Sequence, residues 1–150
     1  MLYYIGIGSN LGEREHTIRR ALGIMDEQLG MCMGVAPLIY SEPQGFASAN
    51  RFCNTVELYE SELQPTEVLA HTQSIERQLG RTGQSVILPD GSKRYADRLI
   101  DIDLIEAYDN NGIEVRMHTP ALTLPHPRMQ ERQFVMEPLG IIKSHVINHT

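Results

Sequence analysis

One hundred and fifty residues carrying a net charge of −6 make a chain of single-domain size, long enough to bury an ordinary core. A content of 41% hydrophobic and 21% charged residues excludes a disordered chain, and the acidic balance argues against a dedicated nucleic-acid binder, which needs a broad basic surface. No apolar run approaches the roughly 18 residues of a membrane span and the N-terminus lacks a secretory signal pattern, so a cytoplasmic protein with neither membrane nor nucleic-acid partners is expected.

In chain order, "LYYIGIG" (2–8) reads as a strand ending in glycine. "SNLGERE" follows, with Ser9 or Asn10 placed to cap a helix and Glu13 in its first turn. Ile18, Ala21, Leu22, Met25 and Leu29 recur at helical spacing until Gly30 ends the run. "CMGVAPLIY" (32–40) predicts a second strand, and "SEPQGFASANR" (41–51) a loop. "FCNTVELYE" (52–60) is a third strand with Phe52, Asn54, Val56 and Leu58 on one face.

Pro65 suits the first turn of a second helix, whose stripe is Val68, Leu69, Thr72, Ile75 and Leu79, closed by Gly80. Residues 81–97 form a long polar loop around the turn signal "PDG"; a loop of this length is usually functional or mobile. "RLIDIDLI" (98–105) is a fourth strand, with which "GIEVRM" (112–117) could pair as a hairpin across "DNNG". "TLPHPRMQERQFVMEPL" (123–139) reads as a proline-rigid turn leading into a short helix. Cys32 and Cys53 lack CxxC spacing and read as reduced core thiols. The order predicts one α+β domain over 1–150, a ferredoxin-like sandwich with helices packed on one face of an antiparallel sheet. That fold hosts many functions, so the chemistry has to come from the site.

The chemistry concentrates in "RLIDIDLI". Asp101 and Asp103 share one face of a strand, their carboxylates about 7 Å apart, where they repel each other. One reading leaves them on a solvated face, paired with nearby arginines. The other is a Mg²⁺ site, because that ion takes hard oxygen ligands and often combines one or two carboxylates with phosphate oxygens. Lys93, Arg94 and Arg98 just upstream, and Arg81 at the loop's start, add the cations that a polyphosphate site requires. His126 is locked between two prolines, with Arg128 and Arg132 following.

These pieces carry a resemblance. "YIGIGSNLG" (4–12), Y-S-E-P-Q-G (40–45), "RFCNTVEL" (51–58), "HTQSIERQLGR" (71–81), R-L-I-D-I-D-L (98–104) and "LPHPRMQERQFVMEPL" (124–139) resemble, in order and over nearly the whole chain, the 6-hydroxymethyl-7,8-dihydropterin pyrophosphokinases of folate biosynthesis. The resemblance implies transfer of the β,γ-pyrophosphate of ATP to the pterin hydroxymethyl group, with release of AMP. It makes Asp101 and Asp103 the ligands of Mg²⁺, and Arg81 and Arg98 the partners of the phosphates. It assigns Leu69, Gln73, Glu76, Leu104, Thr123, His126 and Arg132 to ATP. It gives the pterin Asn54 for hydrogen bonds, Phe52 and Phe134 for stacking, and Ser41, Glu42 and Gln44 for mostly backbone contacts. No residue stands out as a general base, and a monomer is expected.

Four features depart from the family, one being the absence of an additional arginine early in the 81–98 segment, whose charge Lys93 or Arg94 could replace. The segment from Arg81 to Arg98 is longer than usual; Asp97, directly before Arg98, could compete with phosphate; and Ala121 stands where a basic residue is frequent. A small-ligand sensor or a poorly active paralogue are the rival readings, and neither predicts efficient Mg²⁺-dependent turnover.

Overall fold

Alternation in "LYYIGIGS" sends Tyr3, Ile5 and Ile7 to one side of a strand and Tyr4, Gly6 and Gly8 to the other. The computed structural model describes residues 1–9, 13–41, 52–79, 85–87, 93–95, 100–127, 129 and 133–148, without the side chains at 41, 52, 85–87, 93–95, 133–134 and 145–148. In it this strand is β1 (Leu2–Ser9), at the centre of the main sheet. α1 (Arg14–Gln28) leads to β2 (Met31–Val35) and β3 (Ile39–Ser41). β4 (Phe52–Glu60), α2 (Pro65–Gln78) and β7 (Asp101–Tyr108) complete the repeat, after a two-stranded ribbon of β5 (Ser85–Ile87) and β6 (Lys93–Tyr95). The sheet order is β2-β4-β1-β7, every pairing is antiparallel, and β3 also pairs with β4. This is the ferredoxin-like α+β sandwich.

The first side of the sheet is the larger core. Ile18, Ala21 and Met25 of α1 and Val68 and Ile75 of α2 are fully buried against Tyr3, Ile5, Ile7 and Tyr59. Full burial of each such aliphatic side chain contributes roughly 1.5–3 kcal/mol. Gly30 ends the first helical run at φ +149°, and a Cβ there would lie 2.2 Å from the Glu60 carbonyl oxygen, so only glycine fits this return into β2.

Several expectations are corrected. Ser9 does not cap α1: β1 runs on through it, Asn10 lies outside the described residues, and the cap falls at Glu13, whose carbonyl accepts both the N–H and the hydroxyl of Thr17 at 3.0 and 3.1 Å. The strand expected over 32–40 is broken at 36–38, where Pro37 has no N–H for a ladder; Thr55 Oγ1 and Val56 hold Ala36 across the break. Within 81–97, the segment expected as a loop, β5 and β6 pair in the register Val86↔Arg94; its other residues lie outside the described ones, and with them the expectation of loop closure.

Residues 109–113 do turn back across "DNNG", with Asp109 Oδ1 accepting the N–H of Asn111 and of Ile113. The return makes only a bridge at Glu114, after which β8 (Met117–His118) pairs with β9 (Thr123–Leu124) instead. The C-terminal helix α3 (Gln133–Asn148) is 16 residues long rather than short. Helices therefore cover both faces, because α3 packs on the second side of the sheet, with Leu139 and Ile142 buried against Tyr4, Val56, Leu58 and Ile105. That burial outweighs the helix-breaking tendency of Pro138.

A bulge in β7 secures the second side. Ile5 pairs with Leu104 but Tyr4 with Glu106, so both Ile105 and Glu106 face α3. Glu106 Oε2 there accepts hydrogen bonds from Lys143 Nζ and the Tyr108 hydroxyl, each at 2.7 Å. Among the described residues, no helix is long and apolar enough to cross a membrane.

Candidate active site

The second side of the sheet is only partly covered by α3, and the end beyond it gathers the polar residues. The β1 pairings align Asn54, Gly8 and Asp101 in one row across three strands, and Val56, Gly6 and Asp103 in the next. Asp101 and Asp103 are half-buried and Asn54 is buried. Neighbouring strands lie about 4.8 Å apart, so Asn54 stands about 10 Å from Asp101 with no side chain on the strand between them. The alternate glycines of "YIGIG" thus make a flat backbone floor between the amide and the carboxylates. A Cβ on Gly6 would meet Ile105 Cδ1 at 3.0 Å, so the Ile105 side chain lies over Gly6 on this face, and Gly8 forms the part of the floor between Asn54 and Asp101.

β7 is an edge strand, and outside it opens a cleft of ≈ 240 Å³ lined by Leu69, Ile102, Asp103, Leu104, residues 119–123, His126 and Pro127. α2 forms one wall and the β8–β9 hairpin the other. Thr119 folds the hairpin end: its N–H and hydroxyl donate to the Leu122 carbonyl, and its Oγ1 accepts the Leu122 N–H, all at 3.0 Å. The His126 N–H donates to the Ile105 carbonyl at 2.8 Å, pinning the "PHP" segment to β7. Leu69, Leu104, Thr123 and His126, which the sequence reading gave to one ligand, thus line one cleft beside Asp103.

Glu76 is buried, and its Oε2 accepts the Ile102 N–H at 2.9 Å. A carboxylate from α2 therefore does the work of a neighbouring strand for the residue between the two aspartates. Gln73 is exposed on α2, one turn beyond Leu69, outside the cleft lining. Arg81, Arg98, Glu42, Gln44 and Arg132 lie outside the described residues, as do the side chains of Ser41, Phe52 and Phe134. The hairpin wall was missed in the sequence: Thr119, Pro120 and Leu122 carry only a turn signal, and their use depends on the return of the chain to β7. Ala121, noted as a departure, lies in that wall.

The sequence profile of the 7,8-dihydro-6-hydroxymethylpterin-pyrophosphokinase family matches residues 4–144. A 2-amino-4-hydroxy-6-hydroxymethyldihydropteridine pyrophosphokinase of Porphyromonas gingivalis is 38% identical over 139 residues, covering 93% of this chain and 88% of the relative. The protein of that name from Bacillus subtilis is 34% identical over 140 residues, covering 93% and 76%. A mitochondrial folate synthesis bifunctional protein of Pisum sativum is 35% identical over 135 residues, 90% of this chain but 24% of that larger protein. With a match spanning nearly its whole length, this chain belongs to the 7,8-dihydro-6-hydroxymethylpterin-pyrophosphokinase family.

Proposed function

We propose that this ATP-dependent pyrophosphokinase of folate synthesis binds its nucleotide in the cleft outside β7 and its pterin over the glycine floor, with Asp101 and Asp103 at the junction. The enzyme transfers pyrophosphate from ATP to 6-hydroxymethyl-7,8-dihydropterin, giving AMP and the pterin diphosphate. The observation that carries the siting is the register itself: Asn54 and Asp101 flank Gly8 on one face, while Asp103 also borders the cleft.

Two half-buried carboxylates at alternate positions of a strand are the hard-oxygen donor pair that Mg²⁺ takes, so the residues fit the ion. Bound there with ATP, Mg²⁺ would neutralise phosphate charge and orient the chain of phosphates. Around it, Leu69, Leu104, Thr123 and His126 hold the nucleotide, joined by Gln73, Glu76 and Arg132. Arg81 and Arg98 stabilise charge developing on the transferred group. The Asn54 amide offers donors and an acceptor to the pterin edge. Phe52 and Phe134 stack on its ring and the 41–44 segment meets its rim. Catalysis is then chiefly alignment and electrostatic support, with no general base assigned.

We read the chain as one pyrophosphokinase domain over 1–150, monomeric and cytoplasmic, without nucleic-acid partners. The deciding experiment is incubation with ATP, Mg²⁺ and the hydroxymethyl dihydropterin, followed by nucleotide analysis. AMP in step with pterin diphosphate, and dependence on Mg²⁺, is the expected result. ADP as product, or no turnover with bound ligands, would reject it.

A further inference from the structure

On the first side of the sheet, away from the aspartate pair, three metal-ligating groups from separate elements converge. Cys32 Sγ from β2, one carboxylate oxygen of Asp26 from α1 and one of Glu57 from β4 all lie within 4.8 Å of one another. Glu57 is 1% exposed, and its Oε2 has no hydrogen-bond partner among the described residues. A buried carboxylate oxygen without a donor is an unfavourable arrangement that a bound cation would relieve. Nothing in pyrophosphate transfer uses it.

We propose that Asp26, Cys32 and Glu57 form a binding site for a zinc-class divalent cation that ties the end of α1 to β2 and β4. Tetrahedral Zn²⁺ takes thiolate at about 2.3 Å and carboxylate oxygen at about 2.0–2.2 Å, which sets ligand atoms roughly 3.3–3.8 Å apart. The ligand atoms lie within 4.8 Å of one another, so binding requires the three side chains to close on the ion. Its mixed sulfur and oxygen donors select Zn²⁺ or Co²⁺ over Mg²⁺. Asp26 is exposed, so the ion has a path in and water can fill the fourth position. The Tyr59 hydroxyl donates to Asp26 Oδ1 at 2.7 Å and orients that carboxylate from behind.

The test is titration of the full-length protein with Co²⁺ in excess Mg²⁺. A thiolate-to-cobalt charge-transfer band saturating at one equivalent is expected, reversed by Zn²⁺, kept in Cys53→Ala and absent in Cys32→Ser. Because the aspartate pair of β7 holds no sulfur, this band separates the two sites whatever the outcome at the active site. Asp26→Asn changes an exposed helix residue and should weaken Co²⁺ binding at least tenfold, which keeps the proposal testable if Cys32→Ser does not fold. Zn²⁺ at a hundredfold excess over its Kd should raise the wild-type Tm by roughly 5–10 °C. No charge-transfer band, a band that survives Cys32→Ser, or unchanged affinity in Asp26→Asn would overturn the site.

Discussion

The Glu76 carboxylate on α2 accepts the backbone N–H of Ile102 at 2.9 Å, fixing the one residue that separates Asp101 from Asp103. Among the described residues β7 is a sheet edge, so no described strand lies beyond it to meet that N–H. Substitution should therefore register both in stability and in the placing of the two carboxylates. Glu76→Gln retains an oxygen acceptor and should stay within about 1 kcal/mol of wild type. Glu76→Leu strands a buried donor and should cost about 1–3 kcal/mol in denaturant unfolding, with kcat falling as well. Equal stability in the two variants would show that the bond does not anchor the strand.

Asp101→Ala and Asp103→Ala should each lower AMP formation by at least about 10²-fold, the scale of losing one preorganised charge-stabilising group. The fold should survive, and the metal-free Tm should hold or rise, since each change relieves repulsion between like charges. Thermal melts beside the activity assay check this. Near-wild-type turnover in both variants would remove the aspartates from the reaction.

Asn54 faces the glycine floor from β4, on the side away from the cleft. Asn54→Ala should weaken pterin binding by about 1–3 kcal/mol, because polar atoms on the ring edge lose their partners. ATP binding should change little. Calorimetry with each ligand separates the cases, and equal losses for both would make the role of Asn54 purely structural.

The Tyr3 hydroxyl donates to the Leu63 carbonyl at 2.5 Å inside the core. Burial, then the charge of Glu67, pushes its pKa from 10.0 up to about 12. The folded state thus favours the protonated phenol. The associated stability is fully present below about pH 10 and is lost as pH rises toward 12. Tyr3→Phe should cost about 1 kcal/mol at pH 7 and show a smaller further loss at pH 11 than wild type. Urea unfolding at the two pH values measures both.

Local pattern determined much of this protein. The strands of 2–8 and 52–60 and the 3.6-residue stripes of 18–29 and 68–79 each follow from a segment's own residues; the two helices bury the stripe their pattern marks, while the strand of 52–60, read as alternating, is buried on both faces. The pair Asp101 and Asp103 was legible for the same reason, since strand geometry alone puts them on one face. What the sequence left open were relations between segments distant along the chain. Strict alternation in 101–108 would turn Glu106 away from α3. The bulge at Tyr4/Ile5 reverses it, and the gain comes from Lys143, 37 residues on. Alternation likewise says nothing of the Asn54–Gly8–Asp101 row, which needs two strand registers at once, or of the hairpin wall opposite Leu69. Cys32 read as an ordinary core thiol until β2, α1 and β4 brought Asp26 and Glu57 beside it. Side-chain periodicity is a property of a few neighbouring residues, whereas register, bulges and clustered donors are settled by which surfaces bury one another, and that is decided only in three dimensions.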